Sequence, residues 1–160
     1  IIEGAVVQAS SRVVLYNQVP DGTVIDADRD QLNRVLTNLV RNAIQALESV
    51  QGEIAQAFEG KVTLRSWREG TVVNIEVRDN GPGIPERIRP KLFEAFQSAA
   101  RSGGTGLGLT IAAELTRAHG GDLLLASTGP DGTVFVVSVP DSTSEIRPGR
   151  RGERRYGTAG

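Results

Sequence analysis

The sequence predicts an α+β fold: a two-layer sandwich in which a mixed, mostly antiparallel sheet is covered on one face by about three helices. Three observations carry that expectation. Leu32, Val35, Leu36, Leu39, Val40, Ala43, Ile44 and Leu47 form an unbroken apolar stripe at i, i+3, i+4, i+7 spacing, the mark of a helix that buries one face. Two pairs of short runs rich in valine, isoleucine, leucine and threonine, each joined by a glycine-bearing turn, read as hairpins. A second helical pattern lies between the hairpins, and helices packed on one side of such a sheet give two layers.

Taken in order, residues 1 to 9 have the composition of one or two helical turns, and Val13 to Gln18 read as a strand. Pro20-Asp21-Gly22 is a turn signal, followed by an expected short strand at Thr23 to Ile25. Asp28 is placed as the N-cap of the striped helix, with Gln31 three residues on in the capping-box relation. At about 100° per residue, Asn38 and Asn42 share one edge of the stripe, one turn apart. A side chain there lines a boundary between core and cleft.

Residues 48 to 60 are a connection, with a short helix expected at Glu53 to Phe58. Lys61 to Trp67 and Thr71 to Asp79 form the first hairpin, turning at Arg68-Glu69-Gly70. Thr105 to Ala118 is expected as a helix with Leu107, Ile111, Leu115 and Ala118 on its inner face and Gly120 just past its end. Asp122 to Ser127 and Gly132 to Val139 make the second hairpin around Gly129-Pro130-Asp131-Gly132. From Asp141 onward apolar residues nearly vanish and five arginines appear. The expected domain is therefore 1–140, with 141–160 a basic, disordered tail.

Composition excludes several functions. Without cysteine there are no disulfides, thiolate metal sites or cysteine nucleophiles, and a single histidine disfavours zinc. A net charge of −1 gives no argument for nucleic acid or a membrane surface, and no apolar run approaches the roughly 20 residues of a membrane span. Position 1 is not methionine, so the chain is expected to be a piece of a longer protein.

The chemistry concentrates between Asp79 and Leu109. Asp79-Asn80-Gly81-Pro82-Gly83-Ile84-Pro85 opens this stretch and Gly103-Gly104-Thr105-Gly106-Leu107-Gly108-Leu109 closes it, with Phe93 and Phe96 between. The second cluster runs into a helical pattern, where unpaired N–H groups and the positive dipole end suit an anion such as a phosphate chain. Asp79 ends a strand before the first cluster, and a buried carboxylate there needs a donor partner. Read singly, each cluster is equally a tight turn in an ordinary α/β domain, and Asp-Asn-Gly a turn former.

Together, these segments resemble the G1 and G2 boxes of bacterial sensor histidine kinases with an F box between them, and Asn38 and Asn42 match the N box. The resemblance spans roughly residues 25 to 140. It implies the Bergerat-type ATP-binding domain, shared more distantly with type II topoisomerases, mismatch-repair ATPases and a heat-shock chaperone. Through it, Asp79 is expected to accept a hydrogen bond from the adenine amino group, and Thr133 to support the base through a water. Gly81, Gly83 and Ile84 would lie beside the base, and Gly104, Thr105, Gly106, Leu107 and Gly108 around the triphosphate. Asn42 is the expected magnesium ligand, an amide oxygen suiting a hard cation held mostly by waters and phosphates. Asn38 lines the same edge near the phosphates. Gln97 to Ser102 would be a short ATP lid, with Arg101 its only cation and the candidate for the terminal phosphate. Asn38, Asn42 and Arg101 are thus the expected catalytic positions, while Phe93 and Phe96 pack and hinge.

The sequence departs from the family at Gln45, where many sensor kinases carry a basic residue near the phosphates; Arg41 points away from the cleft. His119 stands before Gly120-Gly121, where an imidazole meets the last carbonyls of a helix. It lacks the acid and proline that accompany the family's phosphoacceptor, and is read as structural. The ATP-hydrolysing relatives place a glutamate where Asn38 stands, and residues 31–47 contain no carboxylate. The expected function is therefore Mg-ATP binding with γ-phosphate transfer to a histidine on a dimerisation domain. A response regulator follows in the relay, a homodimer is the expected parent protein, and the cytoplasm the expected compartment. Alone, the chain should be monomeric and should not autophosphorylate. An ATP-gated conformational module, a serine kinase of the anti-sigma type and a non-catalytic nucleotide-binding relative are the alternatives.

Overall fold

The computed structural model describes residues 12–50, 57–94 and 106–141. The strands are β1 (Val13–Gln18), β2 (Gly60–Glu69), β3 (Val72–Asp79), β4 (Asp122–Gly129) and β5 (Gly132–Pro140). They make one sheet in the order β1-β2-β3-β5-β4. β1 runs parallel to β2 and every other neighbour is antiparallel. Two α-helices, α1 (Arg29–Glu48) and α2 (Gly108–Ala118), and a short 3-10 turn at Arg89–Lys91 are present among the described residues. The sandwich is that of the expected α+β fold.

The stripe on α1 is the centre of the core. All eight of its apolar residues are buried, Leu39 completely. Asp28 caps the helix by accepting the Gln31 N–H at 2.9 Å, satisfying one of the donors a helix start leaves unpaired. Alternate residues of the strands meet the helices: Val62 and Leu64 from β2, Val73, Ile75 and Val77 from β3, Phe135, Val137 and Val139 from β5. Because side chains alternate along a strand, the opposite face carries Thr63, Arg65, Glu76 and Arg78, the two arginines exposed and the other two half-buried. Phe93 packs edge-on against Phe135, ring centroids 6.4 Å apart, as expected for a core aromatic. Phe96 and the Glu53–Ile54–Ala55–Gln56 part of the expected short helix lie outside the described residues.

Three local expectations change. Thr23 to Ile25 is not a strand. Thr23 bonds back to the Pro20 carbonyl through both its N–H and its hydroxyl, and the Arg68 guanidinium donates to the Val24 carbonyl at 3.0 Å. Backbone groups satisfied by a turn and a side chain need no ladder. The inner face of α2 is Leu109, Ala112, Ala113 and Thr116, rather than Leu107, Ile111, Leu115 and Ala118. Leu115 is half-buried against the core and Ala118 is exposed. The helix packs against α1 and the sheet together, and Ala112 and Ala113 permit that closeness where larger residues would hold it off. Thr116 meets the cost of a buried hydroxyl by donating to the Ala112 carbonyl at 2.7 Å.

The third change concerns Asp141, where the tail was expected to begin. Asp141 is buried and ion-paired with Arg68, and its carboxylate accepts the Asp26 N–H at 3.1 Å. It clasps the end of β5, the β2–β3 hairpin and the loop entering α1, so the folded unit includes it. Residues 142–160 lie outside the described residues. At the C-terminus of α2, His119 is the cap and its Nδ1 donates to the Leu115 carbonyl at 2.8 Å, before Gly120 with φ +73°. A carbonyl only accepts, so Nδ1 carries the proton. No helix among the described residues is long and apolar enough to cross a membrane.

Candidate nucleotide site

Strand register puts the first part of the site together. Asp79, the last residue of β3, pairs across the sheet with Thr133 of β5, and both are buried. Asp79 Oδ1 accepts the Gly81 N–H at 2.8 Å, which closes the turn that leads the chain away from the sheet. Thr133 Oγ1 lies 3.0 Å from Thr128 Oγ1 on β4, and Thr128 accepts the Ile84 N–H at 2.8 Å. The segment from Gly81 to Ile84 is therefore tied at one end to Asp79 and at the other to the β4–β5 hairpin. Arg89 adds a third tie, its Nε donating to the Ile84 carbonyl at 2.9 Å.

Two glycines here answer to protein backbone. Gly83 has φ +81°, and a Cβ on it would stand 2.2 Å from the Gly129 carbonyl oxygen; a Cβ on Gly132, φ +131°, would stand 1.9 Å from that of Asp79. Only glycine lets the G1-type turn and the β4–β5 hairpin approach this closely. Gly81 differs: its added Cβ would meet the Asp79 carboxylate at 2.9 Å and Ala46 at 3.7 Å.

Helix α1 links this end of the site to the other. Asn38, Asn42 and Ala46 follow one another at i, i+4 and i+8, one line along the helix. Ala46 stands by Gly81, whereas Asn38 Oδ1 would be 3.4 Å from a Cβ on Gly108, the first residue of α2. Asn42 lies midway, and both asparagines are half-buried. At 1.5 Å rise per residue, the positions on α1 that face the two glycine segments are about 12 Å apart. Gly106 is buried with φ +70°, and Leu107 is half-buried. Gln45 is half-buried and Arg41 exposed, in keeping with the helical wheel.

The expected site residues thus divide in two. Asn38, Asn42, Asp79, Gly81, Gly83, Ile84, Gly106, Leu107, Gly108 and Thr133 gather around the C-terminal half of α1 and the adjoining end of the sheet. Gly104, Thr105 and Arg101, with the rest of the expected lid, lie outside the described residues. The sequence reading missed Thr128. A threonine two residues before a Pro-Asp-Gly turn carries no signal by itself, and only pairing with Thr133 brings it to the site.

A two-layer α+β sandwich with an acid and a threonine at one sheet end, and two asparagines on a helix joining two glycine turns, defines a nucleotide-binding domain of the ATPase-kinase type. Residues 27–143 match the histidine kinase-, DNA gyrase B- and HSP90-like ATPase family, and the chain belongs to it. It is 44% identical over 117 residues to the sensory histidine kinase/phosphatase NtrB of Klebsiella oxytoca, a match covering 71% of this chain and 32% of that protein. It is 38% identical over 125 residues to the circadian input-output histidine kinase CikA of Synechococcus elongatus, covering 75% of this chain and 15% of that one. The chain therefore spans a third or less of these two relatives. Among solved structures, the catalytic domain of histidine kinase ThkA superposes with a TM-score of 0.66 at 30% identity, over 88% of this chain and 82% of that one. Full-length ShkA in complex with AMPPNP gives 0.66 at 29% identity, over 81% and 26%.

Proposed function

We propose that this domain binds Mg-ATP and donates the γ-phosphate to a histidine on a dimerisation domain of the same kinase, for relay to a response regulator. The observation that carries the reading is the alignment along α1. An acceptor for the adenine amino group, Asp79, stands at one end and the start of α2 at the other, with Asn38 and Asn42 between. The solved complex of ShkA with a nucleotide analogue and that of ThkA with its response regulator TrrA support the ligand and the relay by analogy.

In this reading Asp79 and Thr133 hold the base, and the glycine turn at Gly106 to Gly108 delivers the phosphates to the N-terminal end of α2, whose free N–H groups favour negative charge. Asn42 offers an amide oxygen to magnesium, which when bound would neutralise charge on the phosphate oxygens. The donor set fits such an ion, since magnesium needs few protein ligands when phosphates supply the rest. Asn38 stands where the hydrolysing relatives keep their glutamate, and residues 31–47 hold no carboxylate. Water thus meets no carboxylate on α1 within a turn of Asn38 or Asn42. A histidine from outside brings its own nucleophilic nitrogen, which is unprotonated near neutral pH. That nitrogen would attack the γ-phosphorus as the bond to the bridging oxygen breaks and ADP departs. His119 is read as structural: it caps α2, with its Nδ1 donating to the Leu115 carbonyl, and it lacks the acid and proline that accompany the family's phosphoacceptor. The cytoplasm and a homodimeric parent kinase belong to the same proposal.

The test is calorimetric titration with a non-hydrolysable ATP analogue, with and without magnesium, on the wild type and Asp79→Asn. Binding that strengthens with magnesium and falls by about tenfold or more in the variant is expected, because an amide can turn its donor toward the adenine amino group. Equal binding by the two proteins would remove Asp79 from the site. No binding by the wild type at millimolar nucleotide would defeat the kinase reading.

A further inference from the structure

Three side chains stand in a row on three adjacent strands at the nucleotide end of the sheet. Asp79 of β3 pairs with Thr133 of β5, and Thr133 pairs with Thr128 of β4. Asp79 and Thr133 are buried and Thr128 is half-buried. We propose that Thr128 is a positioning residue that sets the preference for adenine over guanine by fixing the direction of the Thr133 hydroxyl. The inference rests on the reading of this pocket as an ATP site and goes beyond it.

Either hydroxyl of the Thr128–Thr133 pair is able to donate, and Thr128 is taken as the donor in the assignment of protons that follows. A hydroxyl has one proton and two lone pairs. The Ile84 N–H can only donate, and it donates to Thr128 Oγ1 at 2.8 Å, so Thr128 is an acceptor on that side. Thr133 Oγ1 lies 3.0 Å away, within reach of the Thr128 proton. When Thr128 donates there, Thr133 accepts, and its own proton turns outward to the base or to a water beside it. The row then presents an acceptor from Asp79 next to a donor from Thr133. Adenine offers the complement, an amino donor at C6 beside the N1 acceptor. Guanine offers a carbonyl acceptor beside an N–H donor, and both contacts fail. Sites that pair buried polar groups with a substrate reject the mismatched analogue strongly, because the site's own groups are left unpaired. The Ile84 bond also makes the row sensitive to the position of the Gly81 to Ile84 segment, so loop and base contact are coupled through one oxygen.

The test uses the whole chain and calorimetric titration with non-hydrolysable analogues of ATP and GTP, each with magnesium, on the wild type, Thr128→Val and Thr128→Ser. Valine keeps the shape and removes the hydroxyl; serine keeps the hydroxyl. The wild type is expected to prefer the ATP analogue. Thr128→Val should lose about tenfold in ATP affinity, with a much smaller change for GTP, so the ratio of the two falls. Thr128→Ser should hold the ratio near that of the wild type. A merely structural role would weaken both nucleotides alike and leave the ratio unmoved. An unchanged ratio in Thr128→Val, at whatever absolute affinity, would therefore overturn the proposal, as would a serine variant that behaves like valine. Failure of the wild type to bind either nucleotide would remove the ATP reading itself, and the inference with it.

Discussion

Replacing Gly83 with alanine separates the two jobs that glycines do in this site. The residue sits at φ +81°, and a Cβ there would lie 2.2 Å from the Gly129 carbonyl oxygen and 2.8 Å from its carbon. An ordinary contact is longer by about 1 Å, so the β4–β5 hairpin must move away or the turn must unwind. The left-handed conformation alone costs an L-residue about 1–2 kcal/mol, and forcing extra volume into a packed region about 1–3 kcal/mol more. A destabilisation of roughly 2–5 kcal/mol follows, enough to lower the melting temperature of a domain this size by about 10 °C. Gly81→Ala provides the contrast. Its Cβ would meet only the Asp79 carboxylate at 2.9 Å and apolar side chains at 3.5 Å or more. A side chain can rotate where a carbonyl cannot, so the melting temperature should fall by only a few degrees. The displaced group, however, is the expected adenine acceptor, and nucleotide affinity should fall by about tenfold. Thermal unfolding by circular dichroism and calorimetric titration measure the two effects. Gly83→Ala melting within about 2 °C of the wild type would refute the account of the close approach. The reverse pattern, with Gly81→Ala the less stable protein, would refute the division of roles.

Two further outcomes test the scaffold. Leu39→Ala removes a side chain with no exposed surface from the centre of the α1 stripe and should cost about 2–5 kcal/mol in denaturant unfolding; a loss under about 1 kcal/mol would mean that this core collapses freely around the cavity. Arg68→Ala leaves the Asp141 carboxylate buried without its cation and should cost about 2–3 kcal/mol, below the range for a fully buried pair because the arginine is partly exposed. Adding Asp141→Ala to that variant should recover part of the loss, and strictly additive effects in this cycle would show that the clasp carries no coupling.

How much of this was legible beforehand depends on the range of the interaction. The α1 stripe, its Asp28 cap and the Gly120 terminus were readable because each depends on residues within a few positions of one another, and periodicity reports them directly. The glycine turns and the two asparagines were readable for the same reason, as residue types at short spacing. Helix α2 shows where that stops. Its largest apolar residues suggested one face, but contact with both α1 and the sheet rewarded the small residues Ala112 and Ala113, and the buried face moved accordingly. Thr23 to Ile25 had the composition of a strand and found its partners in a turn and in Arg68.

By itself, then, the sequence determined that there would be a helix with a buried stripe, two hairpins and a pair of glycine turns flanking an acid, since local spacing settles each. The tertiary structure decided that β5 would lie between β3 and β4. That order sets Thr133 beside Asp79 and brings Thr128, otherwise an unremarked residue before a turn, into the same row. It also decided that Asp141 belongs to the folded unit, through its pairing with Arg68. The Asp79–Thr133 and Arg68–Asp141 pairings join residues tens of positions apart, and their free energy depends on strand register and burial, quantities that exist only once the sheet has assembled.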